Sequence, residues 1–300
     1  MSSRQLIVRI KGGLGNQLYS YAAARRLAFV NNMELVIDDI TGFSRDYQFK
    51  REYTLDCFNI LARKATAQER LEPFERARRA VRKKIQNLKK FENRNYLEQE
   101  FDDFDSRILN LQLNKDVYLD GLWQSEYYFK DIENLIREDL IITPPVDDKN
   151  LSTAKQIEIK KSVAIHIRWF DQDSASSDIN VQLNYYQMAL NEMENLLDKP
   201  YYFIFSDNPK KAKELIELPI GRVEFITHNK MAENAIWDFW LMSQCENFII
   251  SNSTFSWWAA WLSSNNEKYV IYPILKKDMK NKWNWGYEGQ MPKKWKALIL

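Results

Sequence analysis

The chain has 300 residues, 45% of them hydrophobic and 14% aromatic; that sustains one large core or two of about 150 residues each, and excludes a disordered or fibrous chain. Forty-three basic and 41 acidic residues leave a net charge of +2, so no global field drives the protein onto nucleic acid and any electropositive site must be local. No run of about twenty apolar residues occurs, and the opening MSSRQLIVRIKGG is too poor in apolar residues for a signal segment. The expectation is a soluble, cytoplasmic protein without a transmembrane helix.

In chain order, Leu6 to Ile10 alternates and is β-rich, Lys11 to Gly15 is a glycine turn, Asn16 to Val30 is alanine-rich with helical spacing, and Leu35-Val36-Ile37 is a short apolar run. This is a βαβ unit. Its turn, Gly12-Gly13-Leu14-Gly15-Asn16-Gln17, sits where glycines let the backbone approach a ligand and a helix N-terminus offers unpaired N–H groups. Gly13, Gly15, Asn16 and Gln17 are therefore candidate ligand-facing residues. A dinucleotide site is the rival, with Asp38 and Asp39 at the distance of a ribose-binding acid, but Leu18 stands where that fingerprint needs a small residue. A plain tight turn needs only one or two glycines and leaves the two amides unexplained.

Cys57 and Cys245 fall singly, without a CxxC or a histidine at ligand spacing, so two reduced, packed thiols are expected rather than a zinc site or a disulfide. Arg63 to Arg94, with twelve basic and four acidic residues, carries Leu71, Phe74, Val81, Ile85 and Leu88 at helical spacing and predicts a basic amphipathic helix inserted at about 63–94. Packed against its own domain, such a helix would simply show water a charged face; the sharper reading is peripheral contact with an anionic membrane surface. Glu98 to Asp105 turns acidic, and Pro144-Pro145 followed by Val146-Asp147-Asp148 reads as an interdomain linker. The predicted domains are 1–150 and 151–300, both α/β.

In the second half, strands at Val163 to Ile167, Tyr201 to Phe205, Val223 to Ile226, Phe248 to Ser251 and Tyr269 to Tyr272 alternate with four helical stretches. Those helices run from about Tyr185 to Leu197, Pro209 to Ile216, Glu233 to Cys245 and Thr254 to Leu262. Alternation of this kind implies a parallel sheet wrapped by helices, with ligands at the carboxyl ends of the strands. Three of those ends are polar: His166, Arg168 and Asp171 follow the first strand, Ser206, Asp207 and Asn208 the second, and Ser251, Asn252, Ser253 and Thr254 the fourth. Alternation places His166 and Arg168 on one face. A guanidinium there can fork two phosphate oxygens and stabilise the charge that grows as a nucleoside diphosphate departs. Ser253 and Thr254 offer hydroxyls at a helix N-terminus, and Asp207 can accept from a ribose or base donor. The bland alternatives are an Arg–Asp pair at a sheet edge and a helix cap at Ser253.

Taken together, GGLGNQLYSYAAARRLA, HIR followed by Asp171, FSD, and WLMSQCENFIISNSTFSWWAAWL resemble the bacterial α-1,2-fucosyltransferases of glycosyltransferase family 11. DGLWQSEYYF at Asp120 to Phe129 and the strand Val270 to Pro273 share the resemblance; the basic helix does not. The resemblance implies a GT-B-like fold, two Rossmann-like α/β domains facing a cleft. It also implies a GDP-β-L-fucose donor, inversion at the anomeric carbon, transfer to the 2-hydroxyl of a terminal β-galactoside, and no metal or other cofactor. Surface polysaccharide synthesis is the implied setting, with a lipid-linked or a free acceptor, at the inner face of the cytoplasmic membrane if the basic helix binds there.

Carried across, Arg168 contacts the diphosphate, with His166 and Asp171 beside it as candidate bases. Ser206, Asp207, Asn252, Ser253 and Thr254 hold nucleotide and phosphate, and Asp238 matches a family acidic position whose plain alternative is a helix-surface carboxylate. Gly13, Gly15, Asn16 and Gln17 face the cleft from the other domain. The family usually reads HIRRGDY where this chain reads HIRWFDQ, so Trp169 and Phe170 replace an arginine and a glycine; FSDD has become Phe205-Ser206-Asp207-Asn208, and the loop Gln172 to Leu183 lacks a His-Gly. Two rivals remain. A metal-dependent glycosyltransferase would use the DxD patterns Asp103-Phe-Asp105 and Asp171-Gln-Asp173, and a non-catalytic binding protein would use 63–94 as a patch for nucleic acid or anionic lipid.

Overall fold

Leu6, Ile7 and Val8 are all buried, as a parallel strand covered on both faces requires, and they form the middle of β1 (Gln5–Arg9). The computed structural model describes residues 4–169, 181–229, 234–275, 285–286 and 289–299. These fall into two compact units, one Met1–Ile141 with Glu288–Gln290, the other Ile142–Tyr287 with Met291–Leu300. The division lies ahead of Pro144-Pro145, and Asp147, read as linker, instead caps a helix of the second unit by accepting from the Asn150 amide at 2.8 Å.

In the first unit β1 is followed by α1 (Leu14–Val30), β2 (Glu34–Asp38), β3 (Arg63–Lys64), α2 (Glu75–Asn87), β4 (Tyr96–Glu98), β5 (Val117–Asp120) and α3 (Glu133–Asp139). The five strands are parallel in the order β3-β2-β1-β5-β4, so the winding direction reverses between β1 and β5. Ala22, Ala23 and Ala24 are buried on α1, and their small side chains let the helix lie close to the sheet. Gly289 also belongs here: its carbonyl accepts from the Ser125 hydroxyl and from the Glu126 amide. Its φ of +82°, and the 2.9 Å that a β-carbon would leave to the Tyr127 ring, make glycine necessary at that point.

The basic segment departs from its expected form in two ways. The helix occupies only Glu75–Asn87, while Arg63-Lys64 is an edge strand paired with Val36 and Ile37. Pro73 has no N–H to give a helix, and Phe74 turns left-handed (φ 67°) before the helix starts. The second departure is the face that packs. Arg79 and Gln86 are the buried residues of α2, and Gln86 accepts from the Asn95 amide at 3.0 Å, whereas Val81 and Ile85 point away from the unit.

The second unit contains α4 (Asp148–Glu158), β6 (Ser162–Ile167), α5 (Leu183–Leu196), β7 (Tyr201–Ser206), α6 (Pro209–Leu215), β8 (Val223–Ile226), α7 (Ala235–Ser243), β9 (Asn247–Ile249), α8 (Thr254–Leu262), β10 (Val270–Ile274) and β11 (Lys296–Ile299). Among its described residues six strands are parallel in the order β11-β10-β9-β6-β7-β8. That is the doubly wound nucleotide-binding order, with the reversal between β6 and β9. Val163, Ile165, Ile167 and Trp169 form one buried row against Tyr185, Ala189 and Met193 of α5. Cys57 is half-buried and Cys245 buried, neither is in a disulfide, and burial pushes the Cys57 thiol up to about 12. Among the described residues, no helix is long and apolar enough to cross a membrane.

Candidate functional site

In an open parallel sheet, ligands bind beyond the carboxyl ends of the strands where the winding reverses. For the second unit that place is the end of β6, flanked by the ends of β7 and β9. Because all three strands run parallel, with Ile167 level with Ser206 and Ile165 level with Ile249, the three polar strand ends fall on the same edge of the sheet. Arg168 follows β6 directly, and its Nη1 lies 2.8 Å from Asp207 Oδ2. The Trp169 amide donates to the other oxygen of Asp207 at 3.1 Å. Burial pushes the Asp207 carboxyl up, and Arg168 opposes the shift without cancelling it. Asp207 is thus bound to the arginine rather than left open to a ribose.

His166 is buried, with Nδ1 3.0 Å from the Ser251 hydroxyl and its ring 5.6 Å from that of Phe255. Burial, and then the Arg168 charge, push its pKa down to about 3. The imidazole therefore stays neutral and is a weak proton acceptor, which counts against a general-base role. Asn252 is buried beside it. Ser253 precedes α8 but makes no side-chain cap, so the helix-cap alternative does not account for its hydroxyl; Ser256 donates to the Ser253 carbonyl instead at 3.2 Å. Ser206 accepts from the Asn208 amide at 3.1 Å, and Asn208 in turn caps α6 by accepting from Lys211. Asp171 lies outside the described residues.

Trp169 stands where the family carries a second arginine, and its side chain belongs to the buried row of β6, on the face opposite Arg168. Lys211 Nζ lies 4.2 Å from the centre of its ring. Neither Lys211 nor this arrangement was readable from the sequence, although strict alternation along β6 already separates Arg168 from Trp169.

Asp238 is a first-turn residue of α7, facing the loop that follows β8. It accepts from Asn229 Nδ2 at 2.9 Å, and Asn229 and Asn150 exchange side-chain hydrogen bonds at 2.8 and 2.9 Å. His228 Nε2 is 3.0 Å from Asn150 Oδ1. The group is half-buried rather than a free surface carboxylate, and that burial pushes it up to about 6. A carboxyl raised in the folded state favours folding while protonated, and that advantage is lost as pH rises from about 4 through about 6. Ionised Asp238 then costs of order 2–3 kcal/mol. Asp238→Asn is accordingly expected to raise the melting temperature at pH above about 6 and to flatten its dependence on pH below that. Thermal denaturation across the range checks this, and an unchanged pH profile would contradict it.

In the first unit, Gly12 has φ +81° and Gly13 is extended, and the amides of Asn16 and Gln17 both return to the Gly13 carbonyl at 2.9 and 3.0 Å. Gln17 does not face a ligand. Its side chain is 1% exposed; Nε2 donates to the Gly12 and Glu52 carbonyls at 2.9 and 2.8 Å, and Oε1 accepts from the Thr54 amide and hydroxyl at 3.0 and 3.2 Å. All of its hydrogen-bonding capacity is spent inside the fold. Gly15 is buried as well, and Asn16 accepts from Gln124 at 2.8 Å, leaving Gly13 with the open surroundings a ligand would need.

Sequence reasoning missed the charge cluster at the reversal of this sheet. Asp120, the last residue of β5, accepts from Lys11 at 2.7 Å, Arg9 at 3.2 Å and the Tyr96 hydroxyl at 2.8 Å. Burial opposes its charge, yet Lys11 and Arg9 prevail and hold the carboxyl below its ordinary range. The available signal was the strand ending Asp120-Gly121, beside the end of β1. The DxD reading at Asp103-Phe-Asp105 weakens on geometry, because Asp105 is already held by three N–H groups of Arg107 at 2.6 to 3.1 Å.

Two doubly wound α/β units, the second with cationic and hydroxyl groups at its switch point, are the parts of a GT-B-like glycosyltransferase. The fold is shared with the fucosyltransferase NodZ of Bradyrhizobium, with a TM-score of 0.54, 17% sequence identity, and coverage of 96% of this chain and 98% of that one. The chain belongs to glycosyl transferase family 11, which matches residues 5–297. It is 29% identical over 282 residues to an α-1,2-colitosyltransferase of Escherichia coli, covering 89% of this chain and 91% of the relative. It is 28% identical over 293 residues to the O-antigen biosynthesis glycosyltransferase WbnK of the same organism, covering 88% and 92%.

Proposed function

We propose that the protein transfers L-fucose from GDP-β-L-fucose, with inversion and without a metal ion, to the 2-hydroxyl of a terminal β-galactoside in a growing surface polysaccharide. The observation that supports this reading is the gathering of Arg168, Asp207, Ser251, Asn252 and Ser253 at three adjacent strand ends around the reversal of the second sheet. As the bond from the anomeric carbon to the diphosphate lengthens, charge grows on the leaving oxygen and the Arg168 guanidinium exchanges Asp207 for phosphate oxygens. Ser253 and Thr254 add hydroxyls to the same phosphates, and Asp238 accepts from the base. The acceptor hydroxyl enters from the face opposite the departing GDP. His166 is a poor base for its proton, so Asp171 is the proposed acceptor of it.

A second donor is favoured by one observation, the colitosyltransferase relative named above. Colitose is fucose without its 3-hydroxyl, so a site that holds one can hold the other unless a buried group must pair with that hydroxyl. The test is to incubate the protein with GDP-fucose or GDP-colitose, a panel of β-galactosides, and EDTA with and without manganese, and to determine the product linkage. Fucose joined through an α-1,2 linkage in the presence of EDTA is expected. Transfer of colitose alone would overturn the donor, and activity lost to EDTA and restored by manganese would overturn the metal-free mechanism.

A further inference from the structure

Helix α2 is amphipathic in the reverse of the usual sense. Its polar residues Arg79 and Gln86 are buried, Arg82 reaches the Asn95 carbonyl at 3.5 Å, and Lys83 pairs with Glu98, so the side that packs on β4 and its approach is polar. The apolar residues Ala77, Val81, Ile85 and Leu88 recur at intervals of four, four and three and therefore form one stripe. That stripe faces water, with Val81 57%, Ile85 51% and Leu88 89% exposed, and Phe74 at the entry to the helix 75% exposed. Arg78 borders it on one side and Lys84 on the other, both exposed, and Lys89 and Lys90 follow Leu88.

A helix whose apolar residues served the core of its own unit would bury them, so this stripe is open to a partner. The charge around it restricts what that can be. Six of the thirteen helix residues are basic and one is acidic, so two copies meeting stripe to stripe would set their cationic borders against each other. Nucleic acid would use the cations and leave the apolar side chains in water. An anionic lipid surface satisfies both: the stripe enters the acyl boundary while the lysines and arginines remain among the headgroups.

We propose that α2 docks the protein onto anionic lipid bilayers, lying in the plane of the interface with Val81, Ile85 and Leu88 inserted. This stands apart from the proposed transfer reaction, whose donor residues Arg168, Asp207 and Ser253 belong to the second unit while α2 belongs to the first.

The test uses the full chain sedimented with phosphatidylcholine vesicles, with or without phosphatidylglycerol. Binding is expected only when phosphatidylglycerol is present, and it should weaken with salt. Arg78→Ala with Lys84→Ala should lower partitioning at least about tenfold. Val81→Asp with Ile85→Asp should remove it, while transfer to a water-soluble acceptor stays at the parent rate and so reports an intact fold. Equal binding to neutral vesicles, no binding to anionic ones, or binding that survives the aspartates would each overturn the proposal. Self-association abolished by the aspartates without vesicle binding would assign the stripe to a second copy instead. Binding to a polynucleotide that displaces the vesicles and tolerates the aspartates would assign the cations to nucleic acid.

Discussion

Arg168→Ala is expected to lower turnover by about 10²–10³-fold while the protein stays folded. The size follows from the lack of a second cation at the neighbouring position. Trp169 fills the family's second arginine position, but its side chain is packed into the core row, and Lys211 lies over the tryptophan ring. Folding should survive because Asp207 keeps the Trp169 amide and can take up a proton, a shift that burial already favours. Arg168→Lys should fall between, since a lysine restores a point charge but not the two-pronged geometry that matches a diphosphate. Initial rates and GDP affinity, compared with the circular dichroism melt of each variant, check the result. Near-parental turnover in a well-folded alanine variant would remove Arg168 from the reaction.

Gln17→Leu is expected to cost about 2–4 kcal/mol of stability, the largest loss foreseen for a single residue of the glycine turn. A leucine of similar volume leaves the Gly12 and Glu52 carbonyls and the Thr54 amide facing a side chain that cannot pair with them. The backbone beside Gly12 and Gly13 loses its tether to the segment before Cys57 at the same stroke. Chemical denaturation followed by tryptophan fluorescence reads this out. Thr54→Val serves as a milder control, removing only the hydroxyl donor at 3.2 Å and leaving the amide in place. A Gln17→Leu protein as stable as its parent would mean that the four hydrogen bonds do not hold the turn.

Most of the second unit was readable from sequence because β6, β7 and β9 are short apolar runs followed by polar residues, the signature of parallel strands buried on both faces, whereas β11, an edge strand opened by Lys296 and exposed at both ends, was missed. Once the strands are parallel, their carboxyl ends must share an edge, so His166, Arg168, Asp207 and Ser253 could be grouped without coordinates. The first unit was harder. Strands β3 and β4 have two and three residues and are fixed by their partners rather than by any periodicity of their own. On α1, Asn16 and Gln17 are neighbours in sequence but point about 100° apart, and nothing local says which of the two turns inward. The stripe on α2 shows the limit most plainly, since hydrophobic spacing fixes which residues share a face but not whether that face meets the core or the outside.

The placement of Gly289 bears on how this protein can be divided or recombined. The chain passes from the first unit to the second after Ile141, yet 289 and 290 are counted with the first and β11 with the second. A fragment ending at Ile141 would lack the carbonyl that receives the Ser125 hydroxyl and the Glu126 amide. Chimaeras that exchange the second unit between relatives by one junction near residue 141 would thus import a foreign piece into the first. Exchanges that preserve the parental residues 288–290 through two further junctions keep each half whole.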